Sequence, residues 1–132
     1  MEPEGVVDAL RRLHETLVPE GLVLDLRSVP PSPRVESDGE TLGEVDYSAW
    51  FKRAERDADA LEVLVREGLL VAEHDIEHDV LVVYSSARDL FQQADGWRLK
   101  RLPNPLAKRL GALDRGCQFR ENCLARRLRK RR

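Results

Sequence analysis

The stretch Leu17-Val18-Pro19-Glu20-Gly21 followed by Leu22-Val23-Leu24-Asp25-Leu26 constrains three consecutive pieces of structure. Ahead of it, Val6, Val7, Leu10, Leu13, His14 and Leu17 recur at helical spacing, which predicts a helix over about residues 5–18. Pro19 has no backbone N–H and stops that helix, and Gly21 tolerates the positive φ of a sharp turn. The apolar run after it is too continuous for a strand with one solvated face. It predicts a central, parallel strand over about residues 21–28.

The rest of the chain continues as an alternation of helices and strands. Pro30, Pro31, Ser32, Pro33, Asp38 and Gly39 mark an irregular connection, closed by a short extended piece at Leu42-Gly43-Glu44-Val45. Asp46 is a suitable N-cap for a helix over about 47–67, because its carboxylate can accept first-turn N–H groups. Trp50, Ala54, Ala58, Leu61, Leu64 and Val65 form that helix's apolar stripe, and Gly68 its C-cap. Leu69 to Tyr84 reads as strand, open to a bend or hairpin around Glu77–Asp79, with the β-branched run Val80–Tyr84 as its strongest part. A short helix over about 87–95 is capped by Ser85 or Ser86, and a Pro-bounded helix follows at about 104–112. A last strand is expected over about 116–128.

Charge is distributed unevenly along these elements. Residues 98–132 carry 13 Lys/Arg against Asp114 and Glu121, a net of +11, while residues 1–97 carry a net of −13. Two such halves attract each other, within one chain or between chains. A length of 132 residues fits a single domain with a basic tail at 126–132, and no apolar run approaches a membrane span. The acidic start Met1-Glu2-Pro3-Glu4 has no signal-peptide core, so a cytoplasmic location without membrane attachment is expected.

The ordered series of elements resembles the C-terminal half of class I S-adenosylmethionine-dependent methyltransferases over roughly residues 6–130. The resemblance rests on the Leu17-Val18-Pro19-Glu20-Gly21 turn into a strand, on Asp25-Leu26-Arg27-Ser28-Val29-Pro30 and on Leu42-Gly43-Glu44-Val45-Asp46. It rests also on Gly68-Leu69-Leu70-Val71-Ala72-Glu73. It implies an α/β half-domain: a three-stranded mixed sheet with packed helices, the second half of a Rossmann-like fold. In it the last strand lies antiparallel between the other two. It also implies that the chain begins about where the cofactor-binding half ends. That half carries a Gly-rich loop and a ribose-binding carboxylate. No G-x-G signature occurs in this sequence, so no cofactor-binding or catalytic residue carries over. The chain alone is not expected to bind S-adenosylmethionine, which would enter only if a separate partner protein supplied the missing half.

Other chemistry is sparse. Asp25 and Arg27 fall near the C-terminal end of the first strand, where open α/β sheets place ligands; an ion pair between them is the simpler reading. His74 and His78 in the repeated Glu-His-Asp share a strand face but lie roughly 13 Å apart at ~3.3 Å per residue, too far for one metal. Cys117 and Cys123 are separated by roughly 20 Å on a strand, too far for a disulfide. His14 on the helix stripe reads as a packed boundary histidine. The basic end lacks interleaved aromatic residues, which disfavours nucleic-acid binding and suits a cationic edge strand.

Three functions follow as expectations. The first is a truncated methyltransferase-like domain that acts as a binding or oligomerisation module without catalysis of its own. The second is the substrate-side half of a split methyltransferase. The third is a small nucleic-acid-associated protein using its basic end. A homo-oligomer is expected through the exposed strand edge of Leu22–Leu26, at Leu22, Val23 and Leu24.

Overall fold

The computed structural model describes residues 3–131. The chain is α/β, with four helices and an open five-stranded antiparallel sheet. In chain order the elements are α1 (Pro3–Thr16), β1 (Leu22–Ser28), β2 (Arg34–Ser37), β3 (Glu40–Glu44) and α2 (Ser48–Arg66). They continue as β4 (Leu70–Tyr84), α3 (Ala87–Ala94), α4 (Asn104–Gly111) and β5 (Cys117–Lys130).

Strand β5 is the hub. The sheet order is β1-β5-β2-β3, and β4 also pairs β5. Val29 N–H donates to the Asn122 carbonyl at 2.9 Å, and Lys130 N–H to the Gly21 carbonyl at 2.8 Å. These bonds run β1 antiparallel to β5. Val35 lies opposite Phe119, which continues antiparallel pairing into β2.

The expectation of a three-stranded mixed sheet is therefore corrected. Five strands form an antiparallel sheet in which β1, β2 and β4 pair β5 and β3 pairs β2. Strand β1 is also not central and parallel. It ends the sheet order, and Leu22, Leu24 and Leu26 on its outer face are exposed. Nor is the last strand a cationic edge, since it has neighbours on both sides.

Strand β2 comes from the segment expected to be irregular, and β3 overlaps the short extended piece expected at Leu42–Val45. Asp38 and Gly39 both take positive φ, at 51° and 79°, and form a two-residue turn between β2 and β3. Asp-Gly between extended segments is the usual chemistry of such a hairpin, since glycine bears no Cβ penalty there. Gly21 has a different role from the one expected. The left-handed residue of that turn is Glu20, at φ 65°. At Gly21 a Cβ would stand 2.8 Å from the Val18 carbonyl oxygen, so the position needs glycine for space. Helix α2 starts as anticipated: Asp46 Oδ1 accepts the Ser48 N–H at 3.0 Å. Strand β4 runs unbroken, with no hairpin at Glu77–Asp79.

The chain divides into two compact units. The first comprises Met1–Arg27, Lys52–Glu77 and Leu124–Arg132; the second comprises Ser28–Phe51 and His78–Cys123. In the first, Leu61 and Leu64 of α2 bury against Leu70 and Leu128, with Val7, Leu10 and Val23 around them. In the second, Val35, Val45, Tyr47, Leu90, Leu106, Leu110 and Phe119 form the core. All seven aromatic residues of the sequence belong to this second cluster or pack on it.

The opposed charges of the sequence meet within each unit. In the first, Arg126 bonds Glu62 at 3.2 Å and Asp75 at 3.3 Å, and Glu73 receives Arg129 at 3.1 Å. In the second, Arg120 lies 2.8 Å from Glu36 and 3.0 Å from Asp79. The hydrogen bond from Arg120 holds the Glu36 carboxyl below the ordinary carboxylate range.

Two predictions follow from this packing. Leu64 and Leu90 are both 0% exposed, one in each core. Replacing either by Ala should lower unfolding free energy in urea by about 2–5 kcal/mol. A depressed acid pKa stabilises the fold above the ordinary carboxylate pKa and loses that contribution as pH falls through the folded value. The melting temperature of Glu36→Gln should therefore fall below that of the unaltered chain at pH 7. The gap should close as pH drops below about 4; a gap independent of pH would contradict the pairing.

Candidate functional site

The outer part of the first unit holds the least ordinary arrangement in the molecule. An amphipathic strand normally turns leucines to the core and charges to water. Strand β1 does the reverse. Leu24 and Leu26 are 68% and 71% exposed, while the side chains of Arg27 and Asp25 are only 13% and 20% exposed.

Local bonding accounts for the inward charges. The Arg27 Nη2 group donates to Asp25 Oδ2 in a short ion pair, and Nη1 donates to the Ala54 carbonyl of α2 at 3.3 Å. Arg27 Nε is buried with no partner among the described residues. Burial, and after it the neighbouring Arg126, pulls the Arg27 pKa below its ordinary value. Asp57, Asp75 and Glu62 oppose that shift. Asp25 and Arg27 are thus brought together as an ion pair beside α2.

The backbone completes the site. Val29 and Gly21 bond β5, so by alternation the odd-numbered residues of β1 turn their N–H and C=O groups to β5. Leu22, Leu24 and Leu26 turn theirs away, toward an edge that no other strand of the described residues occupies. The expected self-association residues divide accordingly. Leu22 and Leu24 lie on the open side, 47% and 68% exposed. Val23 packs against the first unit's core instead. Leu26, the last residue of the edge expected over Leu22–Leu26, is the most exposed of the three leucines. Its signal was present in the period-2 spacing of Leu22, Leu24 and Leu26.

The remaining candidates are structural. His14 Nε2 lies 3.1 Å from the Leu69 carbonyl and donates to it, tying α1 to the start of β4. His74 and His78 are exposed on β4. No group of three or more His, Cys, Asp or Glu side chains among the described residues could hold a metal ion. Cys117 and Cys123 are free thiols, and burial raises the pKa of both. In the second unit an open groove of about 430 Å³ is lined by Glu36, Ser37, Tyr84, Cys117 and Gln118 among others. Ser37 there donates to the Gly116 carbonyl at 2.8 Å and receives Arg115 Nε at 3.1 Å. Burial favours the neutral Cys117 thiol, and the Ser37 hydroxyl is hydrogen-bonded. No helix among the described residues is long and apolar enough to cross a membrane.

No protein-family model matches the chain, and neither the curated proteins nor the solved structures contain a match.

The buried ion pair makes its own prediction. Asp25→Asn leaves the Arg27 charge without its carboxylate and should cost about 1–3 kcal/mol in urea unfolding. Asp25→Leu combined with Arg27→Met removes both charges and should be near neutral or stabilising. A double variant as unstable as the single one would show that the pair itself holds β1 in place.

Proposed function

We propose that the chain is a methyltransferase-like half-domain that works as a self-association module and does no catalysis of its own. The observation that carries the reading is the β1 edge. Three exposed leucines there share one strand with three sets of outward-turned backbone groups. An unpaired strand of this kind is a template for another strand. Its apolar face adds a hydrophobic return of roughly 25 cal/mol per Å² removed from water.

The methyltransferase part of the reading draws support from strand order. Strand β4 overlaps the stretch of β5 that β1 occupies, through Glu73 to Arg129 on one side and Gly21 to Lys130 on the other. Strand β5 therefore lies between β1 and β4, antiparallel to both. This is the arrangement that the resemblance implies for the fifth, seventh and sixth strands of a methyltransferase. The sequence offers no Gly-rich loop to hold a nucleotide cofactor. The nucleic-acid reading is less well supported, because Arg120, Arg126, Arg127 and Arg129 of β5 are engaged with Glu and Asp side chains.

Calorimetry with S-adenosylmethionine and sedimentation at tens of micromolar test the two parts. No binding heat and a mass of at least twice 15.1 kDa are expected. Micromolar cofactor binding would overturn the non-catalytic reading, and a 15.1 kDa species would overturn self-association.

A further inference from the structure

We infer that the occupant of the β1 edge is a second copy of this chain, paired antiparallel with Leu26 opposite the partner's Leu26. The inference rests on the self-association reading above and adds its register. A two-fold axis perpendicular to the sheet keeps each residue on its own face. Residues facing one another across the axis must therefore differ by an even number, which leaves three central registers for a strand this short.

Electrostatics separates them. Asp25 and Arg27 already lie mostly out of water, and an added strand desolvates them further. With the axis between Leu24 and Leu26, Asp25 meets the partner's Asp25, which is repulsive. With the axis at Leu24, Asp25 meets the partner's Val23 and gains nothing. With the axis at Leu26, Asp25 faces the partner's Arg27 and Arg27 faces the partner's Asp25. Two opposite-charge cross-strand pairs then form. Arg27, whose Nε has no partner among the described residues, lies beside a second carboxylate.

The leucine face by itself would favour the other two registers, which set more leucines opposite one another, so the charges select this one. Leu26 meets the partner's Leu26 directly, and Leu24 reaches it on the diagonal, within the range of a long side chain. The outward backbone groups of Leu24, Leu26 and Ser28 find partners in the second strand. Pairing ends where Pro30 and Pro31, which donate no N–H, follow β1.

Cysteine cross-linking tests the register in the full chain carrying Cys123→Ser. Leu26→Cys places two thiols on Cα atoms about 5.5 Å apart, within disulfide reach. It should give a covalent dimer under mild oxidation, whereas Leu24→Cys should not. The positions are 71% and 68% exposed, so neither change disturbs a core. As a second measurement, Asp25→Arg and Arg27→Asp should each be monomeric by sedimentation at tens of micromolar. An equimolar mixture of the two should recover a dimer, because each strand then carries two like charges that face the opposite sign. A dimer that cross-links through Leu24→Cys and not through Leu26→Cys, or a mixture of variants shown by circular dichroism to be folded that stays monomeric while the unaltered chain is dimeric, would overturn the register and leave self-association standing. A monomeric unaltered chain would overturn both.

Discussion

Strand β5 is the constraint on which the rest depends. It carries the hydrogen-bond ladders of three other strands, and its arginines meet the carboxylates of the elements around it. A basic strand is an expensive centre for a sheet unless each charge finds a partner, because partly buried ions lose hydration. Here Arg120 has Glu36 and Asp79, Arg126 has Glu62 and Asp75, and Arg127 and Arg129 share Glu73. Opposed charges of the two sequence halves thus meet within the chain.

Exposed apolar surface lies along β4, where Ile76, Leu81 and Val83 are 52%, 47% and 76% exposed, and along β1. The inner face of β1 is committed to an ion pair beside α2 and to Val23 in the core, so its leucines are turned outward by alternation alone. A one-residue slip would exchange the faces, burying the leucines and exposing the charges. The Gly21 to Lys130 and Val29 to Asn122 bonds hold the observed register at both ends of the strand. Arg27 reinforces it through the Ala54 carbonyl. Exposed leucines here are consistent with a strand kept in register for what it presents outward.

The helices were legible because their signals are local. Asp46, Ser86, Gly68 and the 3.6-residue apolar spacings place α2 and α3 within a residue or two of where they form. The β2–β3 hairpin was missed although Asp38-Gly39 is a strong turn signal, because Pro30, Pro31, Ser32 and Pro33 before it weighed toward irregular chain. The facing of β1 was misjudged for a different reason. A run of Leu-Val-Leu-Asp-Leu is read as buried on hydrophobicity, yet which side meets α2 depends on Ala54, Glu62 and Arg126, remote in sequence. The ion-pair reading of Asp25 and Arg27 needed only their spacing of two on one strand face, and it agrees with the geometry. Strand order is not legible from local signals, since β5 is last in sequence yet pairs β1, β2 and β4.

The account turns on whether the outward backbone groups of β1 are paired in solution. Amide hydrogen exchange, followed residue by residue across a dilution series, measures this most directly. The Leu24, Leu26 and Ser28 amides should exchange slowly at tens of micromolar and speed up on dilution, while the Val23 and Val29 amides, bonded to β5, keep their rates. Fast exchange at Leu24 and Leu26 at every concentration would contradict the account.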